Sequence, residues 1–502
     1  ERSRILAMLP VNEANKPGGR MNSTDAKTTV IRKADWTVAW DAGKSRHVYR
    51  RGIDIAFRGN TILHVGPDYD GPVDSEIDGR QSVVLPGLIN IHCHPYNQPT
   101  YKGVREELGN PKLYMSALYD RTALFQDHEG GPEAPCAYAL SEMLLSGVTT
   151  IADLSPSYPG WIELLAKSGV RAYVTPQFRE ARWDVPTGHR LDFVWDKEAG
   201  QKQFEKALAL VDEAVAHPSG RLSGIVMPVQ VDTCSAEMFQ ESVKAARARK
   251  LPLQTHAAQS VVEFHEMTRR HGITPIQWLD EVGFLAPDVT IGHGMFLDHH
   301  SLIHWESRSD LGLLAKRGAT VAHCPTVFSR YGHTLEHFGS YLAAGVNMAI
   351  GTDTHPHNLW EEMRTAAILA RVNAKDFRAV TTADMFNAVT TGPAKALGRE
   401  DIGRLAPGAK ADIVLADAAH PIMRPLRDPL RSLVYTAAER AVRDVYVDGV
   451  LRVENGQVLG FDFAAAAEAV EQGQRRAEAT VAQRNPKGLS GRDISPLALE
   501  EM

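Results

Sequence analysis

The stretch LPGLINIHCHPYNQ, residues 85 to 98, runs from apolar residues into two histidines one position apart. Side chains at i and i+2 of a strand share a face, so His92 and His94 converge while Cys93 points away. Two imidazoles converging at the tip of a buried run can hold a cation. Three further apolar runs end on similar residues: LPLQTHAAQ on His256, VTIGHG on His293 and VNMAIGTDTHPHN on Asp353. A histidine standing alone is usually a satisfied core or surface residue, and His47, His189 and His337 are read that way. Four histidines and an aspartate at corresponding places on four runs are instead the donor types of a catalytic metal site with one position left for water.

The elements that must position these groups follow from the pattern. Eight short apolar runs alternate with helical stretches: GLINIHCH, VTTIADL, RAYVTPQF, SGIVMPVQVD, LPLQTHA, VTIGHGMF, ATVAHCP and VNMAIGTD. Their hydrophobicity is continuous, as in strands buried on both faces. Eight repeats of strand then helix predict an α/β fold, a (β/α)8 TIM-like barrel over residues 87–399, with a doubly wound sheet as the alternative. Chemistry in such a barrel sits at the carboxyl ends of the strands. Turn-rich β segments flank it. Residues 27–86 include the runs TTVIRKADWTVAW and DIAFRGNTILHVG, the second with a Gly-Asn turn, and residues 400–460 carry the hairpin dipeptides Asp448-Gly449 and Asn455-Gly456. Paired across the chain, they predict a small β-sandwich built from N- and C-terminal segments. Residues 461–502 read as a helical tail docking on the surface or on a neighbouring subunit. Residues 1–26 read as an N-terminal extension, those before Met21 as an addition made for expression.

Composition narrows the partners. A net charge of −6 and a pI near 6.4 over 502 residues give no basic footprint, so a small molecule is expected and nucleic acid is not. Cys93, Cys136, Cys234 and Cys324 lie far apart without a CxxC pair, which argues against a disulfide framework and for a cytoplasmic setting. No apolar run approaches the ~18 residues of a membrane helix.

PGLINIHCH, THAAQ, IGHG, AHCP and GTD, together with GRLAPGAKADIVL near the end, resemble the amidohydrolase superfamily. The similarity is to its branch of cytosine and guanine deaminase-like and triazine chlorohydrolase-like enzymes, close to the phenylurea and thiocarbamate hydrolases. It implies that His92, His94, His256 and Asp353 bind one divalent metal, Zn with Fe, Co or Mn as alternatives. It also implies that His293 polarises the substrate or orients water, that Asp353 moves protons, and that the chain forms a homo-oligomer, dimer or tetramer. A binuclear relative would carry a bridging lysine or carboxylate near strand three or four; no lysine stands there, with Glu180 and Asp232 the carboxylates to check.

Two departures from the family pattern bear on the substrate. Where deaminases read His-x-x-Glu, this chain reads HAAQ, with Gln259 in place of the glutamate. A carboxamide exchanges hydrogen bonds but carries no proton, and a general acid or base is commonly worth ~10² to 10⁴ in rate. This favours hydrolysis of an amide, urea or carbamate-type C–N bond in a small, fairly apolar molecule. Deamination or dechlorination of an N-heterocycle is the alternative, and a barrel without catalysis is disfavoured by the intact donor set. On strand seven, HCPTVFSRYG puts Val327 and Phe328 where relatives hold an asparagine that touches a heterocycle. Tyr96, Gln98, Trp183, His323, Phe328, His355 and Asn358 are the expected pocket residues, each with packing as its plain alternative.

Overall fold

The computed structural model describes residues 26–502; residues 1–25, nearly all of the expected extension, lie outside the described residues. Eight parallel strands carry the middle of the chain: β1 (Leu88–Cys93), β2 (Val148–Asp153), β3 (Arg171–Val174), β4 (Leu222–Gly224), β5 (Leu253–Ala257), β6 (Val289–His293), β7 (Thr320–His323) and β8 (Asn347–Ile350). Seven lie within the apolar runs, and β4 overlaps the start of its run at Ser223 and Gly224. They pair in two four-stranded sheets, in the orders β4-β3-β2-β1 and β5-β6-β7-β8. Isolated parallel bridges join the ends of these sheets, Val226 to Leu253 and Gln230 to His256 on one side, Cys93 to Asp353 on the other. Every residue of β1, β2, β3, β5, β6 and β7 is buried. Helices cover one face and an inner cluster including Ile89, Ile91, Tyr173 and Met227 fills the other, which explains why these strands do not alternate polar with apolar.

The two chain ends meet in one sheet. Ser82–Pro86 pairs antiparallel with Ile413–Asp417, Pro86 opposite Ile413 and Ser82 opposite Asp417, inside a seven-stranded sheet. A separate four-stranded sheet holds Thr28–Ala34, Ile53–Arg58, Thr61–Gly66 and Ser75–Asp78. An apolar cluster that includes Ile31, Ile55, Phe57, Ile413 and Leu415 draws on both sheets. The run TTVIRKADWTVAW, read as a single β segment, divides at Asp35: Thr28–Ala34 joins the four-stranded sheet and Trp36–Asp41 the seven-stranded one. Lys33, at φ 56°, turns the backbone at the corner. Asp448-Gly449 and Asn455-Gly456 do form tight hairpins, all four residues having positive φ, as a type I′ turn demands.

Arg171, at the start of β3, links the parallel strands to this region. Its guanidinium meets Asp412 at 3.1 Å and Asp448 at 2.9 Å, with the arginine and Asp412 side chains almost wholly buried. The tail folds as a helix, Phe463–Arg484, capped by Asp462 and burying Ala466, Val470, Gly473, Ala477 and Val481. That stripe packs on the helix Glu133–Leu145 and on the segment after β1. Among the described residues, no helix is long and apolar enough to cross a membrane.

Candidate metal centre and active site

The ends of β1, β5 and β6 and the turn after β8 bring His92, His94, His256, His293 and Asp353 together. The His92 ring centroid lies 5.3 Å from that of His94 and 4.9 Å from those of both His256 and His293. Asp353 Oδ1 lies 3.2 Å from His94 Nε2 and 3.6 Å from His92 Nε2. Two glycines of the motifs make room for His92, one beside its ring and one beside its backbone. A Cβ on Gly292 would meet His92 Cε1 at 2.7 Å, and one on Gly351 would meet the His92 carbonyl at 2.6 Å. His293 and Asp353 themselves stand at φ 79° and 57°, a conformation non-glycine residues seldom adopt and one that recurs at functional sites.

Hydrogen bonds behind the rings settle which nitrogen faces inward. His92 Nδ1 donates to Gln254 Oε1 at 2.5 Å, and that amide is oriented by its own Nε2 donating to the Ile91 carbonyl. His94 Nδ1 donates to the Leu154 carbonyl at 3.1 Å and His256 Nδ1 to the Val229 carbonyl at 2.5 Å. All three rings therefore turn an unprotonated Nε2 to the centre. Burial pushes the pKa of His92, His256 and His293 down, favouring neutral rings. Three nitrogen lone pairs and a carboxylate thus face one another without a proton among them. The sealed His92 Nε2 has no hydrogen-bond partner. A divalent cation is what such a donor set fits. His92, His94 and His256 form one group of converging donors; His92, His293 and Cys324 form another. Cys324 was not foreseen, and burial raises its thiol well above its ordinary value, against easy ionisation.

A cavity of about 200 Å³ opens over the centre and reaches His94, His256 and Asp353. Of the expected pocket residues, Gln98, Trp183 and Phe328 line it, as does Gln259. Phe328 sets its ring 4.8 Å from that of His293, edge to face. Trp183 donates its indole N–H to Asp232 at 3.2 Å.

Tyr96, His323, His355 and Asn358 are absent from the lining. Tyr96 lies against Tyr158. His323 packs on Phe338, where burial lowers its pKa to about 3. His355 turns to Glu106 at 3.1 Å. Asn358 is used as a helix cap, accepting from the Trp360 N–H and donating to Glu439. Glu180 accepts the Ser235 N–H at 2.6 Å; Glu180, Asp232 and Asp353 all lie outside the groups of converging donors, and of the three only Asp353 pairs with His92 and His94.

Other lining residues escaped the sequence reading. Arg105 and Arg179 sit in the wall, and neither is ion-paired among the described residues, so the cavity is less apolar than Phe328 and Val327 alone implied. Arg105 comes from the irregular segment after β1 and Arg179 from the loop after β3, and no periodicity marks such positions.

Residues 83–452 match the Amidohydrolase family. The chain belongs to that family and is a hydrolase acting on carbon–nitrogen bonds. It is 30% identical over 418 residues to a 5-methylthioadenosine/S-adenosylhomocysteine deaminase from Natronomonas pharaonis, covering 82% of this chain and 90% of the relative. A zinc-bound adenosine deaminase from Xanthomonas campestris superposes with a TM-score of 0.77 at 25% identity, over 90% of this chain and 98% of that one. The zinc complex of an atrazine chlorohydrolase from Arthrobacter aurescens shares the fold, with a TM-score of 0.75 at 23% identity over 89% and 100% of the two chains.

Proposed function

We propose that this chain is a mononuclear metal-dependent hydrolase that cleaves an amide, urea or carbamate-type C–N bond in a small molecule. The observation that carries the reading is the convergence of His92, His94 and His256, with Asp353 3.2 Å from His94 Nε2, beside the carboxamide of Gln259 on the cavity wall. In this reading β1 to β8 form one (β/α)8 barrel, residues 27–86 and 400–460 a β-sandwich domain, and 461–502 a tail. The enzyme works in the cytoplasm as a dimer or tetramer.

When bound, a divalent ion, Zn or alternatively Fe, Co or Mn, supplies Lewis acidity and lowers the pKa of a water molecule from about 15.7 to about 7. Asp353 accepts the proton of the attacking water and returns it to the departing nitrogen. His293 donates to the oxygen on which charge develops. Phe328 and Val327 exclude water on one side and seat the apolar part of the substrate, while Gln98, Arg105 and Arg179 meet its polar part. With no carboxylate at position 259, a leaving group of low basicity is favoured.

The second reading is an aminohydrolase acting on an N-heterocycle, favoured by the deaminase activity that the N. pharaonis relative's name states. A turnover screen of the metal-loaded chain on anilides, phenylureas, carbamates, thiocarbamates and amino-heterocycles, in wild type and Gln259→Glu, separates the two. Activity on the amide-like set, not improved by the glutamate, supports the first. Ammonia released from amino-heterocycles alone, faster in Gln259→Glu, establishes the second.

A further inference from the structure

Behind Gln259 lies a buried relay that the catalytic reading does not use. Glu263, on the helix Val261–His271, is fully buried. Its Oε1 accepts the Ala258 N–H at 2.6 Å and its Oε2 the Gln259 N–H at 3.3 Å. Both oxygens accept these backbone N–H groups, and the Gln230 amide nitrogen stands against Glu263 Oε2 at 2.7 Å, donating to it. The second proton of that nitrogen goes to Gln259 Oε1 at 3.0 Å. A primary amide has one acceptor end and one donor end. With its oxygen turned to Gln230, Gln259 has Nε2 left. That atom donates to no group among the described residues and is not among the sealed polar atoms, and the residue lines the cavity with His256 and Asp353.

We propose that Gln230 and Glu263 are positioning residues that fix Gln259 as a hydrogen-bond donor to the substrate, so that the site selects a molecule presenting an acceptor, such as a carbonyl oxygen, rather than an amino group. This deepens the hydrolase reading above and rests on it for the identity of the substrate. The specificity is one of penalty as much as attraction. A substrate amino group set against the Gln259 Nε2 would leave two donors facing each other in a partly closed cavity, and unpaired buried polar groups are what make discrimination steep. Gln230 cannot swing to relieve the clash, because its backbone bridges to His256 and its amide is held by Glu263.

Two measurements test the proposal, and they fail separately from the functional reading. With nitrogen-15 in glutamine side chains, and Gln230→Met and Gln259→Met to assign the signals, the Gln230 amide protons should exchange slowly with solvent and those of Gln259 quickly. Protected Gln259 protons would overturn the proposal; a protonated Glu263 would reverse both amides and give that result. With the best substrate of the screen, Gln230→Met and Gln259→Met should each lower kcat/KM about tenfold, the scale of one neutral hydrogen bond. The double variant should lose no more than either alone, with metal content unchanged, because both remove the same contact. Losses that multiply would show that Gln230 does not act through Gln259 and would overturn the proposal. If no substrate in the screen turns over, the functional reading fails while the exchange measurement still decides the relay.

Discussion

Asp353 and His94 are joined twice. The His94 N–H donates to the Asp353 carbonyl at 2.9 Å, and the Asp353 N–H donates in turn to the His92 carbonyl at 2.9 Å. Their side chains then meet at 3.2 Å. The contact between the first and last parallel strands is thus also the contact that sets two groups of the candidate metal centre side by side, so fold and candidate site share one geometry.

The histidine orientation depends on residues behind it. Gln254→Leu removes the acceptor for His92 Nδ1 and should weaken metal binding about 10- to 100-fold, read by chelator competition. His256→Ala should leave well under one metal per chain by elemental analysis. Full metal retention in His256→Ala would show that this ring is no ligand.

The tail helix holds the segment that leads into the cavity wall. Gln474 Nε2 donates to the Thr100 and Lys102 carbonyls, both at 2.7 Å, in the segment that continues into Arg105 and Thr122 of the cavity lining. Gln474→Ala should raise KM several-fold with metal content unchanged and speed proteolysis within residues 98–126. An unchanged KM together with unchanged proteolysis would mean the segment holds its place without the tail.

Arg171 is the test of the joint between the parallel strands and the flanking sheets. Arg171→Met leaves Asp412 buried and unpaired, which should cost about 3–5 kcal/mol. A lower thermal midpoint by calorimetry checks it, and an unchanged midpoint would place the stabilising contacts elsewhere.

His47 makes stability depend on pH away from the metal centre. Burial first, then Arg404, lowers its pKa to about 4 from the ordinary 6.5. The folded chain keeps the ring neutral where the unfolded chain protonates it, so this stability is complete above about pH 6.5 and is lost as pH falls toward 4. At pH 5 the loss is about 1 to 2 kcal/mol. His47→Asn should lose less thermal stability than wild type between pH 7.5 and 5; an equal loss would assign the acid sensitivity to other groups.

The eight apolar runs and the residues closing four of them were legible because local chemistry wrote them. A strand covered on both faces needs consecutive apolar residues, and a metal donor set needs particular side chains at strand ends. The hairpins at Asp448-Gly449 and Asn455-Gly456 were legible for the same reason, since positive φ at both turn positions restricts the residue choice. What only the tertiary structure decided came from contacts between segments distant in the chain. The corner at Lys33 depends on which sheet captures each half of a continuous β run. Asn358 became a cap and His355 a partner of Glu106, while Arg105, Arg179 and Gln230 reached the cavity from irregular segments. The Nδ1 hydrogen bonds of His92 and His256, and the relay from Glu263 to Gln259, require neighbours on other strands or helices. Sequence fixes which atoms can donate or accept, and only folding decides which of them meet.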